Sequence, residues 1–202
     1  MSQRKPAENR RIEILTATLD LAFKIGPDHV TTGMVAHQLG LTQPAIYKHF
    51  PKKEFIWQAI GTALIARIHE NIDRSNAAST NPMGVVRCLI LGHLNFIMET
   101  PALPEIMVTR DPSGNLATTR RGIQGAMNAL RACLKQHLES AISAGDLRED
   151  LHAEDAVMLL IGVIQSLALR LIVTRDPAHL VQDGERLLDL QLMLLASEGN
   201  TT

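Results

Sequence analysis

Cysteine and aromatic residues are scarce in this 202-residue chain. Its two cysteines, Cys88 and Cys133, are too few and too far apart in sequence to indicate a disulfide framework or a zinc site. Aromatic residues make up 3% of the chain, which argues against a ligand cage built from aromatic rings. Apolar residues nevertheless reach 46%, so the chain can form a core without covalent cross-links.

Long uninterrupted apolar runs are also missing. Polar or charged residues interrupt every stretch before the ~18–20 residues that a membrane span needs. The polar sequence MSQRKPAENRR at the start is not followed by an apolar segment in signal-peptide order. We therefore expect a cytoplasmic protein with no membrane partner.

The patterns that carry enzyme chemistry are absent as well. No nucleophile–base pair, metal-ligand spacing or phosphate-cradling glycine loop is recognisable in the sequence. We therefore expect no catalytic residues, no metal site and no cofactor, and a protein that is not an enzyme.

The formal net charge of −1 conceals an uneven distribution. Residues 1–55 carry eight Lys and Arg against five acidic residues, a balance of +3, and the remainder has a balance of −4. A basic first quarter on an acidic remainder suits a segment that meets phosphate, although many solvated surfaces show as much asymmetry.

Helical periodicity dominates the chain, and no strand-like alternation is present. The predicted helices end at glycine and proline residues, namely Gly26-Pro27, Gly40, Pro51, Pro101 and Gly145. The sequence predicts an all-α protein of about nine helices, with its clearest loop at 75–82. The predicted helices cover 9–25, 32–39, a third from 42, 52–74, 82–100, a short irregular one at 104–110, 116–144, 153–174 and 180–196.

Residues 31–53, TTGMVAHQLGLTQPAIYKHFPKK, have the layout of a helix-turn-helix. Ala36 is small enough for a crossing helix to approach, and Gly40 supplies the positive φ that the turn requires. Thr31 or Thr32 can cap the second helix, and Thr42 can cap the third. The motif predicts a double-stranded DNA partner.

The outer face of the third helix would carry the residues that meet DNA. Gln43 can pair with adenine N6 and N7, and Lys48 can donate to guanine or to phosphate. Tyr47 and Lys53 suit phosphate contacts, although Tyr47 can instead pack on the core and Lys53 can be a solvated helix start. The full predicted DNA-binding set is Thr31, Thr32, Gly33, Thr42, Gln43, Pro44, Ala45, Tyr47, Lys48, His49 and Lys53.

This segment resembles the tetracycline-repressor (TetR) family of transcriptional regulators. The resemblance rests on a Thr-Thr cap, an Ala-x-x-x-Gly turn, a Tyr near the end of the recognition helix and a following Phe-x-x-Lys-Glu. These features are here Thr31-Thr32, Ala36 and Gly40, Tyr47, and Phe50, Lys53 and Glu54. The likeness is specific over residues 10–60; beyond that, only the number and length of the helices agree.

The resemblance implies a three-helix DNA-binding domain at 1–53 and a helical ligand-sensing and dimerisation domain at 54–202. It implies a homodimer on a palindromic operator, released by a small-molecule effector. By position, Thr31, Thr32, Tyr47 and Lys53 would then hold the DNA backbone, while Gln43, Pro44, Ala45 and Lys48 would face bases. Two positions depart from the pattern that the resemblance implies. Gly33 stands where a base-reading Arg is expected, and Lys48 stands where an aromatic residue is expected. We therefore expect the operator sequence to differ from the one that the resemblance would imply.

The predicted effector site lies on two helices of the body. Gly92, Gly122 and Gly125 each cost about 1 kcal/mol inside a helix relative to Ala, and either ligand space or close helix packing would explain them. Nearby residues form the predicted ligand set: His93, Phe96, Ile97, Arg121, Met127 and Asn128.

The last two predicted helices are more apolar than one buried face requires. Their excess apolar surface indicates a homodimer interface of four helices, or else helices buried deeply within one subunit. The predicted interface residues are Gly162, Ser166, Leu169, Leu187, Leu190 and Leu194.

The combined interpretation is a ligand-responsive, dimeric DNA-binding regulator, most simply a repressor. The alternative is a DNA-binding regulator without a small-molecule ligand, either constitutive or controlled by a protein partner.

Overall fold

The computed structural model describes residues 7–112 and 114–197. Within these ranges the chain forms nine α-helices and no β-strand, which confirms the all-α prediction. The helices are α1 (Ala7–Ile25), α2 (Thr32–Gln38), α3 (Gln43–Tyr47), α4 (Lys53–Ala78), α5 (Pro82–Glu99), α6 (Leu103–Val108), α7 (Ala117–Ser143), α8 (Ala153–Thr174) and α9 (Leu180–Leu195).

The chain divides into two compact units. The first contains the residues up to Ile65 together with Thr100–Ile123, and the second contains Ala66–Glu99 and the residues from Gln124 onward. The first unit therefore includes α6 and the beginnings of α4 and α7 in addition to the three N-terminal helices. The functional boundary between residues 53 and 54 stays a prediction.

The core of the first unit is built from large apolar side chains at helical spacing. Ile14 of α1, Ile46 of α3 and Trp57 of α4 are fully buried. Thr119 of α7 donates a hydrogen bond of 2.9 Å to the carbonyl oxygen of Trp57, which fixes these two helices against each other within the unit. This core sets the position of the short helices α2 and α3.

Helix α4 ends later than the sequence indicated. It continues through Ala78, so the loop predicted at 75–82 was wrong for its first four residues. Asn76 Oδ1 lies 2.8 Å from Nε2 of His137 on α7, and this contact holds a segment whose composition favours a loop. The actual connection is 79–81, where Asn81 Oδ1 accepts a hydrogen bond of 2.8 Å from the amide of Met83 and caps α5.

The second unit has α5, α8 and α9 in mutual contact. A Cβ on Gly184 of α9 would overlap Leu94 of α5 and lie 3.1 Å from a methyl group of Leu167 on α8. Glycine therefore allows the three helices to approach more closely than any larger residue would.

The three helical glycines of the sequence prediction have different environments. A Cβ on Gly92 would overlap the Asn71 amide, and one on Gly122 would lie 2.6 Å from Ile65 Cδ1. A Cβ on Gly125 would have open space around it. Close packing therefore accounts for Gly92 and Gly122, and no contact accounts for Gly125.

Helix α8 is long and apolar enough, by length and composition, to cross a membrane, whereas the sequence analysis expected no such stretch. It has 22 residues and contains an 18-residue window with a mean hydropathy of 2.3, so this expectation was wrong on length and composition. Of that window, 44% is buried within the protein. Ala156, Leu160 and Leu167 are among its buried residues, whereas Met158 and Leu169 of the same helix are exposed.

Candidate DNA-binding surface and ligand cleft

The turn between α2 and α3 has the geometry that the sequence predicted. Thr31 caps α2, because its side-chain oxygen accepts a hydrogen bond of 3.2 Å from the amide of Met34. Gly40 has φ +64°, and the Leu41 amide donates a hydrogen bond of 2.8 Å to the Ala36 carbonyl oxygen. Thr42 occupies the cap position of α3 but makes no capping hydrogen bond through its side chain.

Most of the predicted DNA-binding residues around this turn are exposed or partly exposed. Thr31, Thr42, Gln43, Pro44, Tyr47 and Lys48 are exposed, while Gly33, Ala45, His49 and Lys53 are partly exposed. We call these ten residues the helix-turn-helix surface. Thr32 differs from them because it is 6% exposed.

Three polar side chains in this region form a closed hydrogen-bonded triangle. The Nε2 atom of Gln43 lies 2.8 Å from Thr32 Oγ1 and 3.3 Å from the Tyr47 hydroxyl. The two hydroxyl oxygens are 3.2 Å apart. Residues from α2 and from both ends of α3 are thereby linked, and the Tyr47 ring remains 42% exposed rather than packing into the core.

Lys53 stands at the start of α4, beside acidic groups of the first unit. Burial lowers the pKa of its ammonium group more than the nearby carboxylates of Asp111 and Asp28 raise it. A partly desolvated ammonium at a helix start is opposed by the helix dipole, and a phosphate oxygen would relieve both costs.

Arg11 of α1 braces the end of the recognition helix, a role that sequence reasoning missed. Its guanidinium donates a hydrogen bond of 2.7 Å to the carbonyl oxygen of His49 and lies 4.2 Å from the centre of the Phe50 ring. A cation that satisfies a helix-terminal carbonyl and stacks on an aromatic ring fixes α3 against α1.

The second unit contains a cleft of about 440 Å³ between α4 and α5, which we call the α4–α5 cleft. Its walls combine polar and apolar groups, among them Arg67, Asn71, Arg74, Cys88, Leu91 and Phe96. The Arg67 guanidinium is paired with Glu99 and lies 4.6 Å from the centre of the Phe96 ring. The volume and the mixed lining suit a small organic ligand.

Asn71 forms the floor of this cleft. It is buried, and its Nδ2 donates a hydrogen bond of 3.0 Å to the Leu89 carbonyl oxygen on α5. Its Oδ1 accepts a longer bond of 3.4 Å from Arg74. The absence of a side chain at Gly92 makes room for this amide.

The structure brings only part of the predicted ligand set to the cleft. Phe96 lines it. His93 and Ile97 are buried on the same helix, but neither is part of the cleft lining. Met127 is half-buried and Asn128 exposed on α7, and Arg121 is exposed in the first unit. The assignment of these six residues stays a prediction.

His93 has an unusual environment for an ionisable group. It is 3% exposed, and within the described residues its Nδ1 is the single buried side-chain nitrogen or oxygen without a hydrogen-bond partner. Burial lowers the pKa of His93 to about 4. Its ring packs edge-on against Phe96, with 5.9 Å between the centroids, so a neutral imidazole lies directly behind the aromatic wall of the cleft.

A second surface of interest lies on α8 and α9. Five of the predicted interface residues, Gly162, Ser166, Leu187, Leu190 and Leu194, line an open groove of about 350 Å³ together with Leu159. We call this groove, together with the exposed apolar side chains of Met158 and Leu169 on α8, the α8–α9 face. The sixth predicted residue, Leu169, is exposed but does not line the groove. Met158 and Leu194 are 74% and 64% exposed, so these helices are not deeply buried within one subunit.

Comparisons with known proteins agree with the all-α fold and with the position of the helix-turn-helix. Residues 14–60 match the family model described as bacterial regulatory proteins, tetR family, and residues 114–183 match the tetracyclin repressor-like C-terminal domain. The nucleoid occlusion factor SlmA of Sodalis glossinidius (strain morsitans) is 30% identical over 146 residues, which cover 70% of each chain. The chain belongs to the TetR family.

Other members are similar along nearly the whole length. The HTH-type transcriptional regulator TtgR of Pseudomonas putida is 26% identical over 201 residues, covering 95% of this chain and 94% of that one. The structure of the ketosteroid transcriptional regulator KstR2 of Mycobacterium tuberculosis superposes with a TM-score of 0.78 at 18% identity, covering 97% and 98%. The likeness to KstR2 concerns the fold.

Membership of the TetR family makes the protein a DNA-binding transcriptional regulator, since the family consists of regulators rather than enzymes. The first matched range contains the whole α2–α3 motif. The α4–α5 cleft falls between the two matched ranges, because its residues lie between Arg67 and Glu99. Neither family model therefore describes the lining of the cleft, whereas the first one describes the helix-turn-helix.

Proposed function

We propose that this TetR-family regulator binds a palindromic operator as a homodimer and acts as a repressor. The observation that carries this proposal is the helix-turn-helix surface, whose exposed polar side chains have the types and positions that base edges and phosphates require. One such surface per subunit matches one half-site, so a two-fold dimer requires an operator with two-fold symmetry.

The α8–α9 face supports the homodimer. Leucine and methionine side chains are exposed on these helices, and the small residues Gly162 and Ser166 are part of the groove lining. Small residues beside large apolar residues allow the same surface of a second copy to interdigitate with it. The proposed interface is a four-helix seam formed by α8 and α9 of each subunit.

The α4–α5 cleft is our proposed effector site. A molecule with an apolar part could rest on Leu91 and Phe96, and its hydrogen-bonding groups could reach Arg74 and Asn71. Effector binding would lower the affinity for the operator, and operator binding would lower the affinity for the effector by the same factor. We further expect a cytoplasmic location, since the target is chromosomal DNA.

The operator proposal is tested by incubating the purified full-length protein with fragments of the genome that encodes it and sequencing the bound DNA. The expected result is an inverted repeat whose half-site centres are about one helical turn, or a multiple of it, apart. A reporter placed behind that site should rise in activity when the regulator gene is deleted. An unsymmetrical site would contradict the dimer, and a fall in reporter activity would contradict repression.

The effector proposal is tested by a thermal-shift screen of small molecules against the full-length protein. A true effector raises the melting temperature and releases operator DNA in a gel-shift titration. Leu91→Trp, which fills the cleft, should remove the thermal shift. A ligand that still stabilises this variant binds somewhere other than the cleft.

A second candidate keeps the operator binding and replaces the small molecule by a protein partner. Relatives named as nucleoid occlusion factors rather than as transcriptional regulators favour it, including the one from Sodalis glossinidius. Under this candidate no compound in the screen alters operator affinity. Affinity purification from the native host would instead recover a partner that does.

A further inference from the structure

Gln43 sits at the base-reading position of α3, and its side-chain amide is already engaged. Its Nε2 lies within hydrogen-bond distance of two hydroxyl oxygens, 2.8 Å from Thr32 and 3.3 Å from Tyr47. Among the described residues, its Oε1 makes no hydrogen bond to the protein, and the side chain is exposed. The two ends of the amide therefore have different environments.

A count of protons favours the orientation in which the NH₂ end of the amide points inward. The triangle has three edges, because the hydroxyl oxygens of Thr32 and Tyr47 are themselves 3.2 Å apart. An inward NH₂ group supplies two protons, one hydroxyl supplies the third, and all three edges are hydrogen bonds. With the amide reversed, only the two hydroxyl protons remain for three edges, and one pair of oxygens would face each other without a proton.

The inward orientation also leaves one hydroxyl proton unused. Either Thr32 or Tyr47 donates within the triangle, and the other keeps its proton for an outside acceptor. Because Tyr47 is exposed and Thr32 is buried, the arrangement in which Tyr47 keeps the free proton suits a phosphate oxygen on the DNA backbone. The same network therefore orients a phosphate donor and a base reader.

We infer that Gln43 reads the operator as a hydrogen-bond acceptor alone, with its NH₂ group held by the positioning residues Thr32 and Tyr47. This inference rests on the proposed operator binding by α3. In the major groove, adenine N6 and cytosine N4 present donors, whereas guanine O6 and thymine O4 are acceptors. The specificity that follows is adenine or cytosine on one strand, and not the adenine-only reading of a free amide that bonds N6 and N7 together.

The test selects sites from a library of randomised duplex DNA with the full-length protein and compares variants. Gln43→Ala identifies the base pair that Gln43 faces, because preference should flatten at that position alone. Wild type should accept adenine and cytosine there about tenfold better than guanine and thymine. Selection of adenine alone, or of guanine or thymine, would overturn the inference while leaving operator binding intact.

Gln43→Glu separates the two orientations of the amide. A carboxylate can accept from both hydroxyls and still presents an outward acceptor, so the adenine-or-cytosine preference should persist at a lower overall affinity. If the outward group of Gln43 were the NH₂ donor, this variant would exchange one base preference for another.

Tyr47→Phe and Thr32→Val test the positioning roles. Removing either hydroxyl frees one N–H of the Gln43 amide to donate to adenine N7, so adenine should gain about fivefold over cytosine at the same base pair. A role in phosphate binding alone would weaken all sequences equally and leave this ratio unchanged. Thr62→Val, which removes an exposed hydroxyl from α4, is the matched control. It should change neither the adenine-to-cytosine ratio nor the overall affinity for DNA.

Failure of this inference and failure of the proposed function give different results. A wild-type protein that enriches no motif contradicts operator binding itself, and the inference falls with it. Because Thr32 is buried, its replacement could unfold the protein, so the melting curve of Thr32→Val is compared with that of wild type. If the Thr32→Val protein is unfolded, the result for Tyr47→Phe, at an exposed position, decides the outcome.

Discussion

The helix-turn-helix surface and the α8–α9 face expose opposite kinds of side chain. The first presents amide, hydroxyl and ammonium groups, some of which are already bonded to each other. The second presents leucine and methionine to solvent, while histidine and asparagine lie inside the same unit at His93 and Asn71. The usual pattern of apolar interior and polar exterior is thus followed in one region and partly inverted in the other.

This difference suits the two regions to different kinds of partner. Polar side chains that are oriented by one another lose little freedom when they meet a base or a phosphate, so they suit recognition of DNA. Exposed apolar side chains gain free energy when another apolar surface covers them. Each surface therefore specifies the chemistry of its partner.

The largest expected effect comes from placing a charge on the α8–α9 face. Leu194→Glu should raise the dimer dissociation constant about a thousandfold, equivalent to about 4 kcal/mol, because two carboxylates would be buried without partners in the seam. Sedimentation equilibrium measures the change. Val108→Glu is the control, since Val108 is a comparably exposed apolar residue of the first unit. Equal dissociation constants for the two variants would place the interface elsewhere.

The buried histidine should give the second unit a pH-dependent stability. The unfolded chain protonates His93 near its ordinary pKa of about 6.5, whereas the folded protein keeps it neutral down to about 4. The unfolded state therefore binds more protons in this window, and the free energy of unfolding should fall by up to about 3 kcal/mol as the pH drops through it.

Comparison of His93→Leu with wild type isolates this contribution. The variant should lack that part of the pH dependence in calorimetric unfolding between about pH 6.5 and pH 4. His69→Leu changes an exposed histidine of α4 and should retain the wild-type profile. Parallel profiles for wild type and His93→Leu would show that His93 titrates normally.

The close approach of Asn71 to α5 predicts an asymmetry between two helical glycines. Gly92→Ala should cost about 2 kcal/mol, because the new methyl group displaces Asn71 from its bond to the Leu89 carbonyl oxygen. Gly125→Ala has open space and should stabilise by up to about 1 kcal/mol through helix propensity. Chemical denaturation measures both, and a stable Gly92→Ala protein would mean that Asn71 has an equally good alternative position.

The smallest expected effect concerns Lys53. Lys53→Ala should weaken binding to all operator sequences alike and reduce the slope of log affinity against log salt by about one unit, the value for one phosphate contact. Lys24→Ala removes an exposed cation from the end of α1 and should leave the slope unchanged. Loss confined to particular sequences would instead assign Lys53 to base recognition.

Most of the helix-turn-helix was accessible from sequence because its features are local. The Thr31 cap, the positive φ of Gly40 and the short helix after Thr42 each depend on residues within a few positions. The triangle of Thr32, Gln43 and Tyr47 was not accessible, because it depends on side-chain directions across the turn.

Most of the side chains that line the α4–α5 cleft were not among the predicted ligand residues, for a different reason. The prediction searched for ligand residues on the fifth and seventh helices, whereas most polar groups of the cleft come from α4. A signal was present: Ile60, Leu64 and Ile68 form a buried stripe at four-residue steps, and Asn71 and Ser75 continue it with polar side chains that are also buried. Buried polar residues at core positions of a helix indicate a site more specifically than glycines do.

The first unit contains the chain's single tryptophan and its single tyrosine, in contrasting environments. Trp57 is almost completely buried, and Tyr47 is exposed on the helix-turn-helix surface. Ultraviolet emission from the indole therefore reports the integrity of the first unit alone, with no tryptophan in the second unit to contribute. Quenching of the phenol by bound DNA would report occupancy of the operator. The native chain thus carries two optical probes, and no label is needed to follow either event.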